Sequence, residues 1–132
     1  MDKLLIQDTA QTPFVSFDAQ SGVMEIKGRA IPDDEDAFWL PVLSWFEEFM
    51  LQPCDSVTFR LNLEYFNISS SKRILFLLYK LNELVKDGKN AKIEWHYKGS
   101  DLDMYEVGQD YAYMVKVPFE FVPHEEYEFA MA

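Results

Sequence analysis

The chain has 132 residues, 48% of them hydrophobic and 16% aromatic, with a formal net charge of −11. That is enough apolar material for one packed domain and too much for a disordered chain. The acidic balance excludes duplex nucleic acid and anionic membrane surfaces as partners, because both are bound through Lys and Arg, and no run reaches the roughly 18 apolar residues of a membrane helix.

Residues 1–12 hold one short apolar patch, Leu4 to Ile6, and no signal-peptide core. They are expected to form a loose leader to a single domain over residues 13–123, in a cytoplasmic protein. A hairpin comes next. Val15 and Phe17 alternate with Ser16 and Asp18, Met24 and Ile26 alternate with Glu25 and Lys27, and Ala19 to Gly22 supply turn chemistry between them. The acidic run Asp33 to Asp36 then opens a helix, since carboxylates favour the positive end of the helix dipole. Phe38, Val42, Trp45 and Phe49 make one stripe of it, and Trp39, Leu43, Phe46 and Met50 another. Pro41 fits only in a first turn and kinks the helix elsewhere, and Pro53 marks the stop.

Ser56 to Phe66 alternates without a Pro or Gly, which predicts a central strand. Val57, Phe59, Leu61, Leu63 and Tyr65 fall on one side of it. A helix from about Ser70 to Asp87 follows, with a stripe of Ile74, Leu77, Leu78, Leu81 and Val85 and a stop at Gly88. Ala91 to Tyr97 reads as the next strand. Ser100 is set to cap a weaker helix with Met104, Val107 and Tyr111 on its inner face. Val117 to Pro123 is a last short strand, and residues 124–132 an acidic aromatic tail. The order is α/β: a mixed, mostly parallel sheet of about five strands, with an N-terminal antiparallel hairpin and flanking helices.

Few residues suggest catalysis. Ser69-Ser70-Ser71-Lys72 has the S-x-x-K spacing of penicillin-recognising hydrolases, but the companion S-D-N and K-T-G elements do not occur. Cys54, His96 and His124 have no evident partners. Asp101, Asp103 and Glu106 lack the glycine and spacing of a calcium loop. No zinc set or phosphate-cradling glycine loop is present, so neither metal nor cofactor is expected. The serine run at the helix start reads first as a cap, with Ser69 or Ser70 accepting from orphan N–H groups. Yet one serine suffices for a cap, and Lys72 and Arg73 stand where cations oppose the helix dipole. Hydroxyls beside cations at a helix start favour a phosphate, which makes this stretch a candidate phosphorylation or docking site.

The residues also resemble a known family. Leu63-Glu64-Tyr65-Phe66-Asn67, with Ser69 to Lys72 after it, and the spaced set Asp101, Asp103, Met104, Glu106, Gly108, Asp110 and Tyr111 are the most specific pieces. With Thr12-Pro13, Ser21-Gly22-Val23, Gly28-Arg29, Glu47-Glu48-Phe49, Gly88-Lys89-Asn90 and Pro118-Phe119, they are similar to the SiaC family of bacterial regulatory phosphoproteins. The resemblance runs from about Thr12 to Val122.

It implies a fold like the anti-sigma-factor-antagonist (STAS) domain and a non-enzymatic, partner-switching role. The implied partners are a serine/threonine kinase of the anti-sigma-factor type, a PP2C-type phosphatase, and a downstream target, in the best-known branch a diguanylate cyclase that makes cyclic di-GMP. The implied docking surface is Tyr65, Asn67, Ile68, Ser69, Ser70, Ser71, Lys72 and Arg73, with Asp103, Glu106 and Asp110 as a second surface. The family's phosphoacceptor is the threonine of an Asn-Thr-Ser-Ser string, and this chain reads Asn67-Ile68-Ser69-Ser70. Either Ser69 takes over as acceptor or the protein stands permanently in its target-binding state. The rival expectations are a STAS-like module with no phosphorylation switch and a small serine-dependent enzyme.

Overall fold

The computed structural model describes residues 1–125. Three strands come first, β1 (Leu4–Ile6), β2 (Phe14–Asp18) and β3 (Val23–Ala30). Helices and strands then alternate: α1 (Glu35–Leu51), β4 (Ser56–Phe66), α2 (Ile68–Lys86), β5 (Asn90–Lys98), α3 (Leu102–Met114) and β6 (Phe119–His124). The strands form one sheet in the order β1-β2-β3-β4-β5-β6. β1, β2 and β3 pair antiparallel, and β3 to β6 pair parallel. The sheet is mixed and carries the expected N-terminal hairpin. It has one strand more than the pattern predicts, and that strand is β1, from the segment expected to be a loose leader. Leu4 and Ile6 pack at the edge of the core, and Trp45 Nε1 donates to the Asp2 carbonyl at 2.8 Å. From the predicted tail, His124 ends β6, and residues 126–132 lie outside the described residues.

A right-handed crossover between neighbouring parallel strands, repeated in one direction, puts every helix on the same face of the sheet. The burial agrees. Val15, Phe17, Met24, Ile26, Val57, Phe59, Leu61, Leu63, Ile93 and Trp95 join the buried residues of all three helices in one core. The opposite face is polar and open. There Glu94 takes hydrogen bonds from Arg60 Nε (3.0 Å) and shares one with His96 Nε2 (3.1 Å), and Lys92 lies 3.5 Å from it. Burial raises the Glu94 pKa, but these partners together outweigh it and hold the carboxyl below its ordinary value.

Two glycines fix close approaches. Gly22 turns β2 into β3 at φ +75°, and a Cβ there would meet the Ser56 carbonyl at 2.2 Å. Gly108 lets α3 lie on Trp95, whose Nε1 would be 2.5 Å from an added Cβ. Trp95 Nε1 donates instead to the Met104 carbonyl at 3.0 Å. Pro41 sits past the first turn of α1, on its exposed side.

Tyr65 departs from the predicted alternation. Across β3, Gly28 pairs with Leu63 but Arg29 with Tyr65, so Glu64 is an extra residue. Such a bulge turns the chain over. Tyr65 therefore faces outward, 51% exposed, while Phe66 packs inward on the core. Glu64 holds Arg29 through two bonds, of 3.0 and 3.1 Å.

Candidate functional site

α2 starts two residues earlier than the serines suggest. Its N-cap is Asn67, with φ −85° and ψ 175°, and its side-chain oxygen accepts from Ser70 N at 2.8 Å. Neither Ser69 nor Ser70 caps the helix, because both already lie in its first turn. Asp101, not Ser100, likewise caps α3, accepting from Met104 N at 3.0 Å.

The first turn of α2 contains no acid. A carboxylate arrives from another helix instead. Glu35, in the first turn of α1, accepts from Asn67 Nδ2 at 2.8 Å and from Ser70 Oγ at 3.3 Å. Ser70 Oγ in turn accepts from Trp39 Nε1 at 3.1 Å. Asn67 uses both ends of its amide, one on its own helix and one on Glu35. Aspartate could make only the first bond.

The three serines have three different environments. Ser70 is fully buried within this network. Ser71 is hydrogen-bonded to the Tyr111 hydroxyl of α3 at 2.6 Å, and Tyr111 also donates to the Ser71 carbonyl at 3.3 Å. Burial pushes the Tyr111 phenol above its ordinary pKa, against the opposing pull of Ser71. Ser69 is half-buried. Arg73 Nη1 donates to its hydroxyl at 2.5 Å, while Arg73 Nη2 donates to Asp36 of α1 at 3.0 Å. Arg73 thus lies beyond the first turn with its charge engaged, and Lys72 beside it is exposed. Ile68 is the first helical residue and is 79% exposed.

Beside this turn, Glu64, Tyr65, Phe66, Asp101, Asp103, Met104 and Val107 line an open groove of about 330 Å³. Asp103, Glu106 and Asp110 are all exposed on α3, spaced i, i+3 and i+7 along one stripe. Only Asp103 of the three lines the groove. The structure brings no histidine to the serines among the described residues: His96 bonds Glu94 and His124 bonds Asn62, both on the polar sheet face.

The sequence profile of the SiaC family of regulatory phosphoproteins matches residues 6–124. The chain belongs to the SiaC family. It is 27% identical to an uncharacterized protein of Pseudomonas aeruginosa strain UCBPP-PA14, covering 96% of this chain and all of that one. It superposes on apo-SiaC from Pseudomonas aeruginosa with a TM-score of 0.84 at 26% identity, covering 92% of this chain and 99% of that one. The match to SiaC in the crystal structure of the diguanylate cyclase SiaD with its activator SiaC has a TM-score of 0.87, at the same identity and coverage.

SiaC family members are regulatory proteins, and in this member four residues of the site lay beyond sequence reasoning. Glu35, Asp36 and Trp39 reach α2 from more than thirty residues away, and Tyr111 from forty. The one local hint was the lack of any acid in the first turn of α2, which leaves the positive end of the helix dipole to be met by a carboxylate from elsewhere.

Proposed function

We propose that this chain is a non-catalytic signalling protein that binds and activates a diguanylate cyclase, with its partners docking around the start of α2. The reading is supported by its end-to-end likeness to Pseudomonas aeruginosa SiaC, which forms a complex with the cyclase SiaD as that enzyme's activator. The family resemblance adds a kinase of the anti-sigma-factor type and a PP2C-type phosphatase as partners at the same loop.

The acceptor position here is Ile68, and an isoleucine offers the kinase no hydroxyl. Ser70 is buried and Ser71 is held by Tyr111. The protein therefore stands in its target-binding state whether or not the kinase is present. A second reading rests on one contact, the Arg73 guanidinium against the Ser69 hydroxyl. A cation there would stabilise a phosphate carrying roughly −1.5 to −2 charges. In that reading Ser69 is the acceptor, and its phosphate draws Arg73 away from Asp36.

The test is incubation with the cognate kinase and ATP, followed by intact-mass analysis and a cyclic di-GMP synthesis assay. The expected result is no added phosphate and cyclase stimulation unchanged by the kinase. Stoichiometric phosphate on Ser69 with loss of stimulation would give that residue the switch. A cognate cyclase that ignores the protein altogether would overturn the activator reading.

A further inference from the structure

We propose that the outer ridges of α2 and α3 form a self-complementary surface on which two copies of this chain pair about a two-fold axis. Ser71 meets Tyr111, and the Asn82 side chain accepts from Lys116 N, so the two helices lie side by side and run the same way. Their charges are opposite. α2 carries Lys72, Arg73, Lys80 and Lys86 against Glu83 alone, while α3 carries Asp103, Glu106 and Asp110 and no base. Arg73 is held by Asp36, and Lys80 lies 4.0 Å from Glu83. Exposed Lys72 and Lys86, and the three exposed acids of α3, have no ion pair among the described residues.

Two of these charges stand against their own helices. Lys72 comes immediately after the first turn of α2, and Asp110 immediately before the last turn of α3. Each lies beside the helix end whose dipole disfavours it. Neither charge helps the monomer. Large apolar side chains are left in water on the same ridges. Tyr79, midway between Lys72 and Lys86 on their stripe of α2, is 46% exposed, and Tyr113, on the stripe of Glu106, is 95% exposed. Exposed rings set among unpaired charges mark a contact surface.

A second copy is the occupant that answers both ridges at once, since a partner of one charge sign would satisfy one ridge and repel the other. A two-fold axis between α2 and α3, normal to the sheet, lays each α2 antiparallel on α3 of the second copy, and every contact occurs twice. Lys72 then faces Asp110 of the second copy, and Lys86 faces its Asp103. At about 1.5 Å per residue the two lysines stand about 21 Å apart and the two aspartates about 10 Å, a difference that lysine side chains leaning toward one another close. Tyr79 falls opposite Glu106 of the second copy, and Tyr113 of that copy reaches the exposed Ile68. The chain's net charge of −11 opposes pairing at long range, but physiological salt screens it beyond about 8 Å, and the ridge contacts are shorter. Such a pair covers Ile68 and Lys72, so under the activator reading it is a reserve from which partners draw monomers. The pairing itself does not rest on that reading.

Analytical ultracentrifugation of the chain alone, at near-physiological salt, tests the pairing independently of any cyclase. The wild type should show a concentration-dependent equilibrium between monomer and dimer. Lys72→Glu and Asp110→Lys should each weaken the dimer about tenfold or more, because symmetry repeats each reversal. Both remove a charge that opposes its helix dipole, so melting temperatures should not fall. An equal mixture of the two variants should regain a dimer of near wild-type affinity, because each reversal then faces the other. Leu51→Ala, exposed at the far end of α1, should dimerise as the wild type does. A wild type that stays monomeric at its highest soluble concentration would overturn the proposal. So would a dimer indifferent to both reversals, or one that both reversals weaken and mixing does not restore.

Discussion

On the outward side of the first turn of α2, Ile68 leaves 79% of its surface in water; on the inward side, two residues on, Ser70 is fully buried. Ordinary partitioning would exchange them. The inward side is explained by hydrogen bonding. Ser70 accepts from Trp39 and donates to Glu35, which also takes the Asn67 amide, so a polar cluster ties the starts of α1 and α2 together. A satisfied buried network of this kind fixes geometry. The outward side has no such internal account. An isoleucine kept in water contributes little to the fold; under the proposed function it is the residue that meets the partner. On that reading one turn divides its work, with the inner residues setting the position of the surface and the outer one facing out from it.

The most direct way to break this division is Ser70→Ala. It leaves the Trp39 indole N–H without an acceptor in the core and takes one donor from Glu35. Stability should fall by about 2 kcal/mol, the cost of stranding a buried donor. Chemical denaturation measures it, and an unchanged unfolding midpoint would show that the inner side is not structural. Asn67→Asp comes next. The cap bond to Ser70 N survives, but a carboxylate replaces the donor that now lies 2.8 Å from Glu35. A loss of about 1–2 kcal/mol is expected from the missing bond and the like charges. The loss should shrink in acid, where protonating either carboxylate restores a donor, and melting curves at neutral and acidic pH would read this.

The open face of the sheet sharpens the contrast, because its polar groups are equally well partnered but wet. Glu94 has its pKa lowered there, against the opposing effect of burial, by His96, Arg60 and Lys92. A lowered carboxylate stabilises the fold above its unfolded pKa, and that contribution is lost as pH falls through the folded value. Glu94→Gln should therefore lower the melting temperature slightly at neutral pH. The gap from wild type should close below the ordinary carboxylate range, and added salt should narrow it. A deficit as large as that of Ser70→Ala would mean that dryness is not what distinguishes the two networks.

Much of the fold was legible because its periods are clean. β4 alternates without interruption through Leu63, and the stripe of Ile74, Leu77, Leu78 and Leu81 is buried as its spacing predicts. What was not legible is where competing local signals overlap or distant groups decide. Asn67, Ser69 and Ser70 are all competent caps within four residues, so the helix start slips by two residues. The bulge at Glu64 leaves no trace in composition, yet it reverses Tyr65 and so creates one wall of the groove. β1 is too short at three residues to show a period. The Glu35–Ser70–Trp39 contacts are fixed by how α1 and α2 cross the same sheet face.

Ile68→Thr separates the two sides of the turn with the smallest structural disturbance. The residue is the first of the helix and largely in water, so stability should change by less than about 0.5 kcal/mol. Without kinase, the variant should still stimulate the cyclase, somewhat more weakly for the loss of an apolar contact. With kinase and ATP it should gain one phosphate at the new threonine, and stimulation should cease. The wild type under the same conditions should do neither. If the threonine variant loses stability on the scale of Ser70→Ala, the outward side is part of the fold after all. If it stays unmodified by a kinase active on a threonine-bearing SiaC, the loop does not present residue 68 to such a kinase. Only the combination of unchanged fold and acquired phosphate leaves Ile68 as the residue that removed a switch without disturbing the surface around it.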